Sequence, residues 1–176
     1  MLDGLVVVYT GGGKGKTTAA LGLALRALGY GKRVRMIQFI KGSWHYGEMS
    51  SSARLEPEFE LMAVGRGFVG IMDDTSSIQQ HRDTAAQAVR LARDSMGSGR
   101  YDVVILDEVN YAISMGLVDE DDILEMVRRR PPGVDVVLTG NHASDRMMDV
   151  ADLVTEMREI KHPFRRGIRA RKGIDY

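Results

Sequence analysis

Residues 9–18, Tyr-Thr-Gly-Gly-Gly-Lys-Gly-Lys-Thr-Thr, are the stretch whose types and spacing state a chemistry. They follow the apolar run Leu5-Val6-Val7-Val8 and precede an Ala/Leu-rich helical pattern, the strand–loop–helix setting of a phosphate-binding loop. Glycines let backbone N–H groups turn inward without Cβ clashes, and the helix behind them offers its positive end to an anion. Lys16 would reach a polyphosphate as a point charge, and the Thr17 hydroxyl would ligate its Mg²⁺, or Mn²⁺ in its place. The usual pattern is G-x-x-x-x-G-K-[ST]; here Thr10 stands at the first glycine position. The candidate nucleotide-binding set is therefore Thr10, Gly11, Gly12, Gly13, Lys14, Gly15, Lys16, Thr17 and Thr18.

A second signal lies about 90 residues further on, where the apolar run Val103–Leu106 ends in Asp107 and Glu108. Mg²⁺ takes hard oxygen ligands, one or two from protein and the rest from phosphates and water. An acid at a strand end meets that need, and Glu108 joins Thr17 as a candidate metal ligand. The bland alternative is a solvated acidic pair opening a loop. Lys14 adds a cation inside the glycine loop, either for a more anionic phosphate group or pointing to solvent. The histidines His45, His81, His142 and His162 have no ligand spacing and receive no metal role. Trp44 sits in a loop, where it either stacks on a ligand or pins the loop to the core. The tail from Lys161 to Tyr176 holds six basic residues and one acid, Asp175. It reads as an RNA-binding segment or as a docked or solvated tail, and no nucleic-acid module accompanies it.

The elements that must position these residues alternate. Strand candidates are Leu5–Tyr9, Val34–Phe39, Phe59–Val64, Val103–Leu106 and Val134–Thr139, with a weaker one at Leu153–Met157. Continuous apolar strands separated by helices predict a parallel sheet covered on both faces. Leu21, Leu25 and Leu28 mark a first helix, closed by Gly29 and Gly31. Ala85, Val89, Ala92 and Met96 mark a later one. Asp119-Glu120-Asp121-Asp122 opens a third and Arg128-Arg129-Arg130 ends it, a charge order that suits the helix dipole. Two long Gly/Ser-rich connections, Lys41–Pro57 and Gly65–Ile78, leave strand ends on the side where ligands bind.

The 176 residues are expected to form one domain, with Lys+Arg and Asp+Glu both at 24, so no overall charge directs the chain to nucleic acid or acidic membranes. Zero cysteines exclude disulfides, thiolate metal sites and cysteine nucleophiles. Neither a signal segment nor an apolar run of the ~18 residues needed to span a membrane is present, and a cytoplasmic protein is expected.

Taken along its length, the chain resembles the P-loop corrinoid adenosyltransferases, the cob(I)yrinic acid a,c-diamide adenosyltransferases. The resemblance is carried by Thr10-Gly-Gly-Gly-Lys-Gly-Lys-Thr-Thr-Ala-Ala20, Gln38-Phe39-Ile40-Lys41-Gly42-Ser43-Trp44, Asp83-Thr84-Ala85, Leu106-Asp107-Glu108, Leu138-Thr139-Gly140, Lys161-His162 and Gly173-Ile174-Asp175-Tyr176. It implies an α/β, RecA-like three-layer fold with a mainly parallel sheet of about six strands. It also implies transfer of the 5′-deoxyadenosyl group of ATP to the Co(I) of a corrinoid, with release of triphosphate. The family binds ATP reversed relative to ordinary P-loop enzymes, works with a separate flavoprotein reductase, and is homodimeric. By motif position Arg26 matches an arginine near the nucleotide, and Phe68 an aromatic against the lower corrinoid face. The chain departs from the pattern at Gly70, where a second aromatic is usual, at Asn141 for an arginine, and at Gly12 for a frequent Asn. The connection to Asp83 is longer, and an N-terminal covering segment is absent. The competing functional class is a P-loop kinase or ATPase acting on the γ-phosphate. A non-catalytic nucleotide- or corrinoid-binding regulator is the other.

Overall fold

The computed structural model describes residues 4–42, 45–70 and 74–176. The proposed roles of Trp44 and of the 71–73 portion of the second long connection lie outside the described residues. Six strands form one all-parallel sheet: β1 (Val6–Thr10), β2 (Val34–Gln38), β3 (Phe59–Ala63), β4 (Val103–Asp107), β5 (Asp135–Thr139) and β6 (Leu153–Glu156). Their spatial order is β3-β2-β4-β5-β1-β6. All six strands expected from the β-branched runs are present, each within a residue or so of its predicted start.

The pleat sends alternate strand residues into two cores. Val7, Met36, Ile105 and Val137 meet α1 (Lys16–Leu28) on one face. Val8, Ile37, Leu106 and Leu138 meet α3 (Ile78–Gly97), α4 (Val109–Ser114) and α5 (Glu120–Arg128) on the other. This is the three-layer arrangement that continuous apolar parallel strands require.

Helix α1 is seated on the sheet by small residues. Its buried residues are Ala20, Ala24 and Ala27, not the leucines. Three methyl side chains let the helix lie close on the sheet. Leu21, Leu25 and Leu28 line a cavity that runs from the glycine loop; Leu21 and Leu28 are half-buried against the same core, and Leu25 is 64% exposed. Spacing alone cannot distinguish these faces, because both stripes share the helical period.

The two long connections are built on close backbone approach. The first contains a short helix, α2 (Gly47–Ala53), that the glycine and serine content did not predict. Gly67 N–H donates to the Ile40 carbonyl at 2.8 Å, and Val64 N–H to the Gln38 carbonyl at 3.0 Å. A Cβ on Gly65 would lie 2.4 Å from the Ile40 carbonyl group, and one on Gly42 would lie 2.5 Å from Arg66 C. These glycines zip the two connections together and hold their tips at one end of the sheet. Gly65→Ala must push two backbones apart. It is expected to cost about 1–3 kcal/mol of stability, measured by urea unfolding, with the slope unchanged.

Candidate functional site

The end of β4 is the point on which the site is assembled. Asp107 is fully buried, and its neighbours in the sheet are the last residues of β2 and β5. Thr17 Oγ1, from the first turn of α1, donates to Asp107 Oδ1 at 2.8 Å. Thr139 Oγ1, at the end of β5, donates to the same oxygen at 2.8 Å. Gln38 Nε2, at the end of β2, donates to Asp107 Oδ2 at 3.2 Å, and Lys41 Nζ lies 3.7 Å from that oxygen. A carboxylate withdrawn from water requires such partners. Because β5 lies between β1 and β4, Thr139 bridges the strand feeding the glycine loop and the strand ending in acid.

Glu108 follows in the left-handed conformation, φ 62°, which non-glycine residues rarely adopt. Its N–H donates to Thr139 Oγ1 at 2.9 Å, and its side chain lines the cavity. Backbone strain of this sort is costly and persists where surrounding contacts enforce it, commonly at functional sites. Burial first, then the adjacent Asp107 charge, pushes the Glu108 carboxyl up to about 7, against the opposing pull of Lys16 and Lys41.

The glycine loop has two kinds of glycine. A Cβ on Gly11 would meet the Met157 carbonyl at 2.6 Å, and one on Gly13 would meet it at 2.7 Å. Those positions are fixed by the chain continuing from β6, and Gly13 N–H donates to the Met157 carbonyl at 2.7 Å. Gly12 faces open space, and Gly15 takes φ 112° to turn into α1. Lys16 Nζ donates to the carbonyls of Gly11 and Gly13 at 2.7 and 2.8 Å. Burial lowers the Lys16 ammonium pKa, and the carboxylates of Glu108 and Asp107 oppose that shift.

Gly12 through Thr18, with Phe68 and Glu108, line a cavity of about 800 Å³. Its far wall is apolar: Leu21, Leu25, Leu28, Leu55 and Phe59. The Phe68 ring stands edge-on to Tyr111, with centroids 5.9 Å apart. Thr10, Gly11 and Arg26 are not part of the lining. Thr10 is buried, and its hydroxyl accepts from Ala143 N–H at 3.1 Å, tying β1 to the connection after β5. Arg26 is exposed on the last turn of α1, ten residues and roughly 15 Å of helix rise beyond Lys16. The structure does not bring it to the loop. Lys14 lines the cavity with its side chain half exposed, and it is ion-paired with Asp175 in the terminal turn, which also lines the cavity. The basic tail before that turn is exposed and includes a short 3₁₀ turn, Pro163–Arg166.

Lys41, Tyr46 and Glu48, which line the cavity, and the buried Gln38 beside them were not singled out from their chemistry. Lys41 is ion-paired with Glu48 and lies under the Tyr46 ring, 4.8 Å from its centroid. Burial lowers the Lys41 pKa, but Asp107 and Glu48 more than offset this and raise it. Gln38 also donates to Glu48 Oε1 at 3.3 Å, while its own buried Oε1 has no partner. The legible signal was position: Gln38 ends a strand, as Asp107 does. Among the described residues, no group of three or more His, Asp or Glu side chains could hold a metal by itself.

The family described as ATP:corrinoid adenosyltransferase BtuR/CobO/CobP matches residues 2–176. The corrinoid adenosyltransferase of Escherichia coli (strain K12) is 36% identical, covering 98% of this chain and 86% of that protein. Corrinoid adenosyltransferase CobA of Salmonella typhimurium (strain LT2) is 38% identical with the same coverage. In fold, the chain is similar to the flagellar accessory protein FlaH from Methanocaldococcus jannaschii. That match has a TM-score of 0.56 at 12% identity and covers 89% of this chain and 72% of the other. The expected RecA-like α/β class agrees with the sheet described above.

Glu108 sets a pH dependence. Its folded pKa of about 7 exceeds its ordinary value of 4.5. Its stabilising contribution is therefore complete below pH 4.5 and lost as pH rises through 7, by at most about 3 kcal/mol. Glu108→Gln is expected to flatten this part of the stability–pH curve, measured by urea unfolding without divalent metal or nucleotide. An unchanged curve would remove the assignment.

Proposed function

Because this chain belongs to the ATP:corrinoid adenosyltransferase family, we propose that its glycine loop and the adjoining apolar wall divide the reaction between them. The protein is an ATP:corrinoid adenosyltransferase: it transfers the 5′-deoxyadenosyl group of ATP to the cobalt of a reduced corrinoid and releases triphosphate. The C5′–O5′ bond breaks, a Co–C5′ bond forms, and the two electrons of the new bond come from Co(I). Triphosphate departs with the oxygen and its charge. Co(I) is a strong nucleophile, so the protein must position C5′ and stabilise the leaving group rather than supply a base.

The observation that carries this division is that one cavity joins Gly12–Thr18 to Leu21, Leu25, Leu28 and Phe68. We assign the triphosphate to Gly11 through Thr18, with Lys16 leaving the loop carbonyls for phosphate oxygens. The ribose and corrinoid are assigned to the apolar side. Mg²⁺ fits the donor set, which is hard oxygen throughout. Thr17 already gives its hydroxyl proton to Asp107, leaving lone pairs free for a cation, and a buried Gln38 oxygen stands unpaired beside them. When bound, the ion would add positive charge to the leaving triphosphate. Thr17 and Glu108 are its proposed protein ligands, and Asp107 holds Thr17 in place.

The finer reading takes the chain as one domain, supported by its continuous sheet, and as a cytoplasmic homodimer served by a separate flavoprotein reductase, supported by the family resemblance. No helix among the described residues is long and apolar enough to cross a membrane. Thr10 and Arg26 are retained only as backbone and helix-end contributors, because neither faces the cavity.

Incubation with ATP, Mg²⁺ and chemically reduced cobalamin is expected to give adenosylcobalamin and triphosphate in equal amounts. ADP and phosphate without an organocobalt product would instead identify a γ-phosphate enzyme. Lys16→Ala should lower kcat about 10²–10³-fold, since a leaving-group charge loses a direct partner. Phe68→Ala is expected to impair use of Co(II) substrate more than use of pre-reduced Co(I), compared by visible spectroscopy. Equal losses on both would take Phe68 off the cobalt-facing side.

A further inference from the structure

His81 lies in the first turns of α3, is 3% exposed, and does not line the cavity. Its Nε2 lies 3.1 Å from both oxygens of Asp74, whose side chain is 7% exposed. Asp74 binds the preceding connection as well. Its Oδ2 accepts from Gly70 N–H at 2.8 Å and its Oδ1 from Ser76 N–H at 3.0 Å. The backbone donors first, and His81 after them, hold the Asp74 carboxyl below its usual range. One residue beyond Ser76, Ser77 caps α3 through a reciprocal pair with Gln80. A single carboxylate thus ties Gly70 and Ser76 to the start of a long helix.

Gly70 is two residues from Phe68, which is 40% exposed at the cavity edge. Upstream, Phe68 is held by Gly67 N–H on the Ile40 carbonyl. Downstream, Val69 is half-buried against the core, and Asp74 takes the Gly70 N–H. The ring itself has the Tyr111 edge. A glycine at position 70 adds no side chain of its own to pack, so beyond Val69 the segment is held through its backbone. Charge-assisted hydrogen bonds to a buried carboxylate do that with more geometric definition than exposed contacts.

We propose that Asp74 and His81 form a positioning pair that fixes the Phe68-bearing loop against the corrinoid, leaving nucleotide binding untouched. The proposal rests on the reading of Phe68 as a corrinoid-facing residue. His81 is neither base nor nucleophile in it, because its Nε2 is occupied and enclosed. It acts through the loop.

Steady-state constants for both substrates separate the possibilities, measured for His81→Ala, His81→Gln, Asp74→Asn, Phe68→Ala and the His81→Ala/Phe68→Ala double variant. His81→Ala is expected to raise the corrinoid KM about tenfold while the ATP KM stays within about twofold. His81→Gln, whose amide can still donate to Asp74, should recover most of the loss. The double variant should be no worse than Phe68→Ala alone, because both changes act on one element. Additive losses, a matching rise in the ATP KM, or failure of Gln to rescue would overturn the proposal. Should His81→Ala fail to fold, Asp74→Asn keeps side-chain size and must show the same corrinoid-selective loss. A corrinoid KM unaffected by Phe68→Ala alone would overturn the Phe68 reading. A Phe68 effect with normal kinetics in His81→Ala and Asp74→Asn would overturn only the positioning pair.

Discussion

A fully buried carboxylate is the constraint around which the rest is arranged. Asp107 could not remain charged at the end of β4 without donors, and the sheet order delivers them from three other elements. Thr17 arrives from the helix after the glycine loop, Thr139 from the strand between, and Gln38 from the strand beyond. The result is a phosphate loop locked in register with an acid about 90 residues away in sequence. Lys41 and Glu48 extend the same network into the first long connection. Loss of any one donor would leave a buried charge underpaired, which is why the network acts as a unit.

The apolar half of the cavity follows from a different economy. Packing α1 on alanines leaves its leucines at the edge of the core, where they form one wall of the cavity. The glycines of the two connections bring their backbones to within hydrogen-bonding distance and set Phe68 at the rim. A polar cradle and an apolar wall therefore meet in one space. That pairing suits a reaction whose leaving group is polyanionic and whose nucleophile sits in a large, largely apolar ring.

Much of this was readable from residue order. The β-branched runs gave every strand, because a parallel sheet buried on both faces must be apolar throughout. Thr10–Thr18, in a strand–loop–helix setting, pointed to a phosphate loop, and Asp107-Glu108 to acids at a strand end; folding joins the two through Thr17 and Asp107. Other features depended on tertiary facts. Leu21, Leu25 and Leu28 mark the helix, but which α1 stripe faces the sheet is undecidable from period. Gly11 and Gly13 look like ligand glycines but are required by Met157, in the segment that follows β6 some 145 residues later. Arg26 resembled a nucleotide contact by alignment of motif, yet the helix carries it away. Lys14 found Asp175 at the far end of the chain. His81 carried no motif at all, since its partner and the loop it fastens become neighbours only after folding.

The claim at the centre is that the loop grips the departing triphosphate while the sugar carbon faces the corrinoid. A crystal structure of the protein with ATP, Mg²⁺ and a corrinoid tests it most directly. The account predicts triphosphate oxygens on the backbone N–H groups of Gly12 and of Lys14–Thr17, with C5′ directed at cobalt beside Phe68. A nucleotide whose γ-phosphate points into the apolar space, with its ribose remote from the corrinoid, would contradict it.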